Sequence, residues 1–137
     1  WATAVVAIGT ASSGGEAHTR AVQLVETHYS IEDGSLLFCP TMASRHQFRR
    51  TLEDTVSYFV GRGLEGDTGF ALEPWISVRF ENADILCRGD VGIAMGNYFF
   101  RRADGSELEA EYSFVYILDD TGRLKIQLHH SSLPYRP

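Results

Sequence analysis

Apolar residues recur at helical spacing through the first half of the chain. The run from Trp1 to Ile8 keeps this spacing and stops at Gly9, which predicts a first short helix. The same periodicity predicts a second, amphipathic helix from Glu16 to Tyr29. A third helix is predicted from Arg45 to Val60, with Phe48 on its inward stripe.

The second half of the chain has the pattern of β-strands, because β-branched and aromatic residues are separated there by Gly and Asp turn signals. The predicted strands are Trp75 to Glu81, Asp84 to Cys87, Val91 to Phe100, Leu108 to Leu118 and Leu124 to His130. A shorter strand, Leu36 to Cys39, follows an Asp33-Gly34 turn signal. Helices followed by strands predict an α+β domain in which an antiparallel sheet folds against the helices.

The last predicted strand ends in the polar run His129 to Ser132. Side chains on a strand alternate between its two faces. Continuing the alternation past Leu128 places His130 and Ser132 on the apolar face, and His129 and Ser131 on the other face, unless a β-bulge intervenes. A hydroxyl and an imidazole at the end of a buried strand would form a polar site at the mouth of an apolar pocket.

Length and charge bound what the chain can be. Its 137 residues fit one domain, residues 1–137, and the first residue, Trp1, leads us to expect a unit excised from a longer protein. The formal net charge of -6 argues against a nucleic-acid partner. The first apolar run is too short to span a membrane. Cys39 and Cys87 lie in apolar runs and are predicted to be buried free thiols.

The sequence lacks the common signatures of metal and nucleophilic sites. His129 and His130 are neighbours on a strand, so their side chains should leave on opposite faces and not chelate one ion. There is no G-x-S-x-G elbow for a serine nucleophile. The glycine-rich segment from Gly61 to Pro74 is predicted to be a flexible loop that could cover a pocket. The residues alone therefore leave the ligand open.

The order of helices and then a curved sheet resembles the cone-shaped fold of the nuclear transport factor 2-like superfamily. That superfamily includes ketosteroid isomerase-like enzymes and the association domain of calcium/calmodulin-dependent kinase II. More narrowly, five segments resemble the iota-class carbonic anhydrases. They are WATAVVAIG, FCPTMASRHQFRRTLEDTVSYFVG, GFALEPWISVRFENA, AMGNYFF and EYSFVYILDDTGRLKIQLHHSSLPY.

The resemblance implies reversible hydration of CO2 to bicarbonate without a metal or other cofactor. It also implies a pocket of threonine, tyrosine, histidine and serine side chains. The matching motifs give Thr41 and Tyr58 for the first two, and strand parity favours His130 and Ser132 over His129 and Ser131 for the others. The three hydroxyls would orient water and the substrate oxygens, and the histidine would accept or relay the proton. Three aromatic residues would shelter the nonpolar substrate: Phe59, Tyr98 and Phe114.

The predicted strands are apolar on both faces, from which we expect a homodimer. Two other functions remain open. The domain could be an association hub whose pocket binds a small acid or peptide without reacting it. It could also abstract a proton from a steroid-like substrate, for which Asp54 or Glu81 would supply the carboxylate. In a photosynthetic eukaryote we expect the protein in the plastid, and otherwise in the cytoplasm.

Overall fold

Three α-helices and a five-stranded sheet make up the fold. The computed structural model describes residues 1–32, 34 and 36–137. The helices are α1 (Ala2–Gly9), α2 (Gly14–His28) and α3 (Leu52–Val60), with a short 3-10 helix at Phe70–Leu72. The strands are β1 (Leu37–Cys39), β2 (Trp75–Arg88), β3 (Val91–Arg102), β4 (Glu107–Leu118) and β5 (Leu124–Ser132). The α+β prediction is confirmed.

The strands are ordered β1-β5-β4-β3-β2 across the sheet. Strands β2 to β5 form an antiparallel meander, and β1 joins the edge in parallel to β5. The helices cover one face of this sheet, where aromatic and aliphatic side chains from both layers form one core. Since β1 leads into the segment before α3, its pairing with β5 brings that segment to the end of the last strand.

The first two helices lie close to their predicted bounds. Helix α2 begins after Ser13, whose hydroxyl accepts a hydrogen bond from the backbone N–H of Glu16. The Glu16 carboxylate in turn accepts from the backbone N–H of Ser12, which satisfies a further amide at the helix start. No helix in the described part of the chain is long and apolar enough to cross a membrane.

The prediction that the third helix begins at Arg45 is wrong. Helix α3 begins at Leu52, because Thr51 acts as its N-cap and accepts a hydrogen bond from the backbone N–H of Asp54. The preceding segment is irregular, and Phe48, expected on the inward stripe, is 71% exposed. Phe48 continues the helical spacing of α3, but the chain here is not helical, because the backbone of Arg49 forms a β-bridge with Phe38 of β1.

A buried ion pair explains why the chain before α3 is held in this way. Arg49 is buried and donates two hydrogen bonds to the carboxylate of Asp67, at 2.6 and 2.8 Å. Ser57 of α3 donates to the same carboxylate at 2.6 Å. The predicted loop from Gly61 to Pro74 is therefore anchored to α3 at Asp67, and it contains the 3-10 helix.

Two predicted strands are one in the structure. Strand β2 continues through 82–84, where its pairing with β3 shifts by one residue at a β-bulge. Opposite the bulge lies Gly96, where a Cβ atom would lie 2.2 Å from the carbonyl oxygen of Glu81. Only glycine allows the two backbones to approach so closely. The residues at the bulge were therefore predicted as a break between two strands, whereas the strand continues through them.

Two smaller predictions concern a turn and the cysteines. The predicted Asp33-Gly34 turn includes Asp33, which lies outside the described residues. Both cysteines are free thiols, as predicted. The prediction that both are buried is wrong, because Cys39 is half-buried and Cys87 is exposed. Cys87 lies near the end of β2, in an exposed part of the strand.

Candidate active site

A β-bulge in β5 decides which polar side chains enter the core. Pairing with β4 runs from Tyr116 opposite Ile126 to Val115 opposite Leu128, so β5 has one extra residue at Gln127. An extra residue reverses the alternation of faces beyond it. Both Ile126 and His129 therefore point into the core although they are three positions apart.

The structure therefore corrects the parity prediction. His129 is 2% exposed and Ser131 is 5% exposed, and both face the helices. His130 is exposed on the opposite face, where it lines a surface groove together with Ser132. The Ser132 hydroxyl donates to the Glu111 carboxylate at 2.9 Å on that outer face. Neither His130 nor Ser132 lies among the residues that line the central cavity.

A small cavity lies between the sheet and the helix layer, beside His129 and Ser131. Its volume is about 10 Å³, which is about the space that one water molecule needs. Most of its wall is aromatic. The lining residues are Trp1, Phe38, Pro40, Thr41, Tyr58, Phe59, Phe70, Tyr98, Phe100, His129 and Ser131.

Three hydroxyl groups meet at the polar end of this cavity. Tyr98 donates a hydrogen bond to Ser131, and Ser131 shares a further hydrogen bond with Thr41. The three residues come from β3, β5 and the turn after β1, which the parallel pairing of β1 with β5 brings together. Thr41 is half-buried, so it lies at the opening of the cavity, whereas Tyr98 and Ser131 lie inside.

His129 lies beside this hydroxyl cluster in an aromatic environment. Its ring is 4.6 Å from that of Phe38 and 4.4 Å from that of Phe114, measured between centroids. Its Nε2 atom is 3.2 Å from the Tyr98 hydroxyl. Burial lowers the pKa of His129 to about 3, with a smaller contribution from the neighbouring charge of His130. The imidazole is therefore neutral at neutral pH.

The predicted hydroxyls of Thr41 and Tyr58 do share the cavity. Tyr58 is buried in α3, and burial raises the pKa of its phenol well above the usual value. A backbone hydrogen bond with Met42 partly offsets that rise. Tyr58 thus contacts the turn that carries Thr41. It also keeps its proton at neutral pH and remains available as a hydrogen-bond donor.

Of the three aromatic residues predicted to shelter the substrate, two line the cavity. Phe59 of α3 and Tyr98 of β3 form part of its wall. Phe114 is buried against the His129 ring but is not a lining residue. Tyr98 combines two roles, since its ring is part of the apolar wall and its hydroxyl belongs to the polar cluster.

Two polar partners of the site were missed in the sequence. The Tyr29 hydroxyl at the end of α2 lies 2.9 Å from Nδ1 of His129. The indole N–H of Trp1 donates to that hydroxyl, also at 2.9 Å. In the sequence Trp1 and Tyr29 are apolar members of helical stripes. Their spacing carries no signal of a polar role, because the contact depends on the position of β5.

No carboxylate lines the cavity among the described residues. Asp54 lies in the first turn of α3 and Glu81 is exposed on β2, and neither reaches the cavity. Proton abstraction by a pocket carboxylate therefore has no base here. Within the described ranges no three His, Cys, Asp or Glu side chains are grouped so as to hold a metal ion.

Helices packed on an antiparallel sheet around a small pocket define the nuclear transport factor 2-like fold. A superfamily member from Salmonella enterica has this fold, with a TM-score of 0.56 at 13% identity over 87% of this chain and 82% of that chain. That likeness shows the fold alone. The chain itself belongs to the metal-independent carbonic anhydrase family, whose model matches residues 1–133, and it is therefore a carbonic anhydrase.

Two relatives are similar over nearly the whole chain. A metal-independent carbonic anhydrase from Nostoc sp. is 36% identical over 141 aligned positions, which cover 98% of this chain and 69% of that protein. The crystal structure of a cyanobacterial iota-carbonic anhydrase complexed with bicarbonate has a TM-score of 0.94 at 35% identity. That match covers all of this chain and 87% of the other.

Proposed function

We propose that the chain hydrates CO2 reversibly to bicarbonate inside the cavity, at the hydroxyl cluster of Thr41, Tyr98 and Ser131. The observation that carries this proposal is the convergence of three hydroxyls at the polar end of a small cavity with aromatic walls. Bicarbonate is the molecule held by the similar cyanobacterial enzyme. Such a cavity suits a nonpolar substrate that becomes an anion as it reacts.

The hydroxyl cluster would act on the attacking water and on the developing anion. A zinc ion lowers the pKa of bound water from about 15.7 to about 7, which corresponds to on the order of 12 kcal/mol. Hydrogen bonds to a charged group contribute roughly 1.5 to 3 kcal/mol each. Three hydroxyls therefore cannot maintain a standing hydroxide. They can hold a water against CO2 and stabilise the bicarbonate-like charge as it forms.

The proton released in hydration has to leave by the open end of the cavity. His129 is a weak base, because burial lowers its pKa to about 3. We therefore do not assign it the proton-accepting role expected for a pocket histidine. Thr41 is half-buried at the opening, so a water bound to it can pass the proton to solvent or buffer.

CO2 needs more room than the cavity has in this closed form. About 10 Å³ accommodates about one water, and CO2 has to lie beside that water to react. Part of the wall must therefore shift when the substrate enters. We assign that movement to the turn carrying Thr41, since the adjacent Met42 is exposed and the turn lies outside regular secondary structure.

The activity is tested by measuring CO2 hydration in a stopped-flow pH-indicator assay on chelator-treated protein, with metal content quantified on the same sample. We expect full hydration activity with far less than one metal ion per chain. Activity restored only by added zinc would contradict the proposal. Hydration no faster than in buffer would instead favour the association hub that binds a ligand without reacting it.

We also propose that the outer face of the sheet pairs with a second copy of the chain. Residues paired in register across a sheet lie on the same face. One such line crosses all five strands and is entirely apolar, and three of its members are more than 40% exposed. Its members are Leu37, Leu86, Ile93, Val115 and Leu128.

Sedimentation equilibrium tests this dimer. We expect the wild-type chain, whose mass is 15.3 kDa, to sediment at twice that mass. Ile93→Lys should give the monomer, because a charge in the centre of an apolar interface is costly to bury. Leu72→Lys is the matched control, since Leu72 is also exposed but lies in the 3-10 helix away from this face. A wild-type monomer at assay concentrations would contradict the proposal.

A further inference from the structure

A continuous series of buried hydrogen bonds leads from Trp1 through His129 to the cavity. The Trp1 indole donates to Tyr29 at 2.9 Å, and Tyr29 is 2.9 Å from Nδ1 of His129. On the other side of the ring, Nε2 is 3.2 Å from the hydroxyl of Tyr98, which donates to Ser131. Each of these hydrogen bonds depends on which atom carries the proton in its neighbour.

The Trp1 indole determines which atoms of this series carry the protons. An indole N–H can donate a hydrogen bond but cannot accept one. The oxygen of Tyr29 therefore accepts from Trp1, and its single proton remains available to donate. Among the described residues the only other hydrogen-bond partner of the Tyr29 hydroxyl is Nδ1 of His129. Tyr29 can use its proton only if Nδ1 is an acceptor, which leaves the imidazole proton on Nε2.

The opposite tautomer would leave the proton of Tyr29 without an acceptor. With the proton on Nδ1, Tyr29 would accept twice, and its own proton would have no acceptor in a residue that is 1% exposed. Nε2 would then need the proton of Tyr98, which would no longer be donated to Ser131. A buried donor without a partner is a substantial cost, so the first arrangement is favoured.

We propose that Trp1 and Tyr29 are positioning residues that hold His129 as the Nε2–H tautomer, so that His129 acts as a hydrogen-bond donor to Tyr98 and not as the catalytic base. Its importance for catalysis rests on the function proposed above. In this arrangement Tyr98 donates to Ser131, which leaves the Ser131 proton available to donate to Thr41 or to a molecule in the cavity. The cavity thus presents donors to the oxygens of a forming anion. The low pKa of the buried imidazole agrees with this role.

Nuclear magnetic resonance of the histidine nitrogens tests the tautomer directly. On the full chain labelled with 15N-histidine, long-range 1H–15N correlation distinguishes a protonated ring nitrogen from an unprotonated one. The signals of His129 are those lost in His129→Gln. We expect an unprotonated Nδ1 and a protonated Nε2 in the wild type. A protonated Nδ1 in the wild type would overturn the proposal.

The positioning role is tested with Trp1→Phe, which keeps an aromatic ring but removes the indole donor. The Tyr29 proton can then turn to the side left vacant by the indole N–H, so that its oxygen can accept from Nδ1 at a smaller cost. We therefore expect the two His129 nitrogen shifts to move toward each other as both tautomers become populated. If half of the molecules lose the competent tautomer, kcat falls about twofold while KM for CO2 stays the same. Unchanged His129 shifts in this variant would overturn the assignment of Trp1.

The matched control is Trp75→Phe. Trp75 is buried, more deeply than the half-buried Trp1, and its indole donates to the carbonyl oxygen of Phe70 at 2.8 Å, outside the series that contains His129. We expect this variant to leave the His129 shifts unchanged, and an equal change in both variants would contradict the proposal. The two proposals fail separately. Absence of CO2 hydration by the wild type would refute the proposed function. The tautomer is measured by nuclear magnetic resonance and does not depend on turnover.

Discussion

The two faces of the last strand carry the same two residue types in the same order, yet only one face forms a site. His129 and Ser131 are buried beside Tyr98 and share its hydrogen bonds. His130 and Ser132 are on the outer face, where a solvent-accessible carboxylate is the nearest partner of the serine. The comparison shows that a histidine and a serine do not make a site by residue type alone. Their burial and their hydrogen-bond partners decide whether they form one.

The largest difference we expect between the two faces is in the pH dependence of stability. The unfolded imidazole has a pKa of about 6.5, whereas that of native His129 is lowered to about 3. Between those values the unfolded state binds a proton that the native state does not. Stability therefore falls as pH drops from about 6.5 toward 3, by on the order of 4 kcal/mol.

Urea unfolding at pH 7 and pH 4 measures this loss, with the two histidines compared as a pair. His129→Gln should be less stable at pH 7 but lose much less stability on acidification than the wild type. His130→Gln is the control and should keep the wild-type loss, because the buried imidazole remains. Equal acid-induced losses in wild type and His129→Gln would show that His129 is not held neutral by burial.

The serine pair should differ most in catalysis. Removing one donor that stabilises a developing oxyanion costs about 100- to 1,000-fold in kcat. We expect Ser131→Ala to fall within or near that range in the stopped-flow assay, and Ser132→Ala to stay within about twofold of wild type. The reverse result would place the reaction on the outer face, and equal small effects would remove serine from the mechanism.

A smaller effect is expected for Tyr58→Phe. Tyr58 contacts the turn that carries Thr41 and lines the cavity, but the hydroxyls that hydrogen-bond to Ser131 belong to Thr41 and Tyr98. Losing one such hydrogen bond, about 1 kcal/mol, corresponds to roughly a fivefold decrease in kcat/KM. Tyr112→Phe is the control, since Tyr112 is also buried but donates to Asn82 outside the cavity. A loss above 100-fold would make Tyr58 a principal catalytic group.

The position of Thr41 shows what pattern reasoning can and cannot supply. Its assignment came from resemblance, because a threonine after a short strand has no spacing that marks it as functional. In space it meets Ser131, 90 positions further along the chain, since β1 pairs in parallel with β5. Local patterns predicted both strands, but neither pattern shows that β1 pairs with β5 at the edge of the sheet.

The start of α3 shows a second limit. Phe48 continues the helical spacing of Leu52 and Phe59 back into the segment from Arg45 to Arg50. The buried pair of Arg49 and Asp67 nevertheless holds that segment in another conformation. Arg49 is only 1% exposed, but an arginine is expected at the surface when only the sequence is known. Helix propensity is a weak preference, and a tertiary ion pair with hydrogen bonds overrides it here.

By itself the sequence determined the class of fold, most of the helices and strands, the residue types of the site and the family to which the chain belongs. These properties depend on periodicity and on motifs, which are local along the chain. Only the tertiary structure decided that His129 and Ser131 face the cavity. One extra residue in β5, opposite Val115 and Tyr116 of β4, reverses the faces beyond it. Such a bulge depends on the neighbouring strand, and no pattern within β5 encodes it.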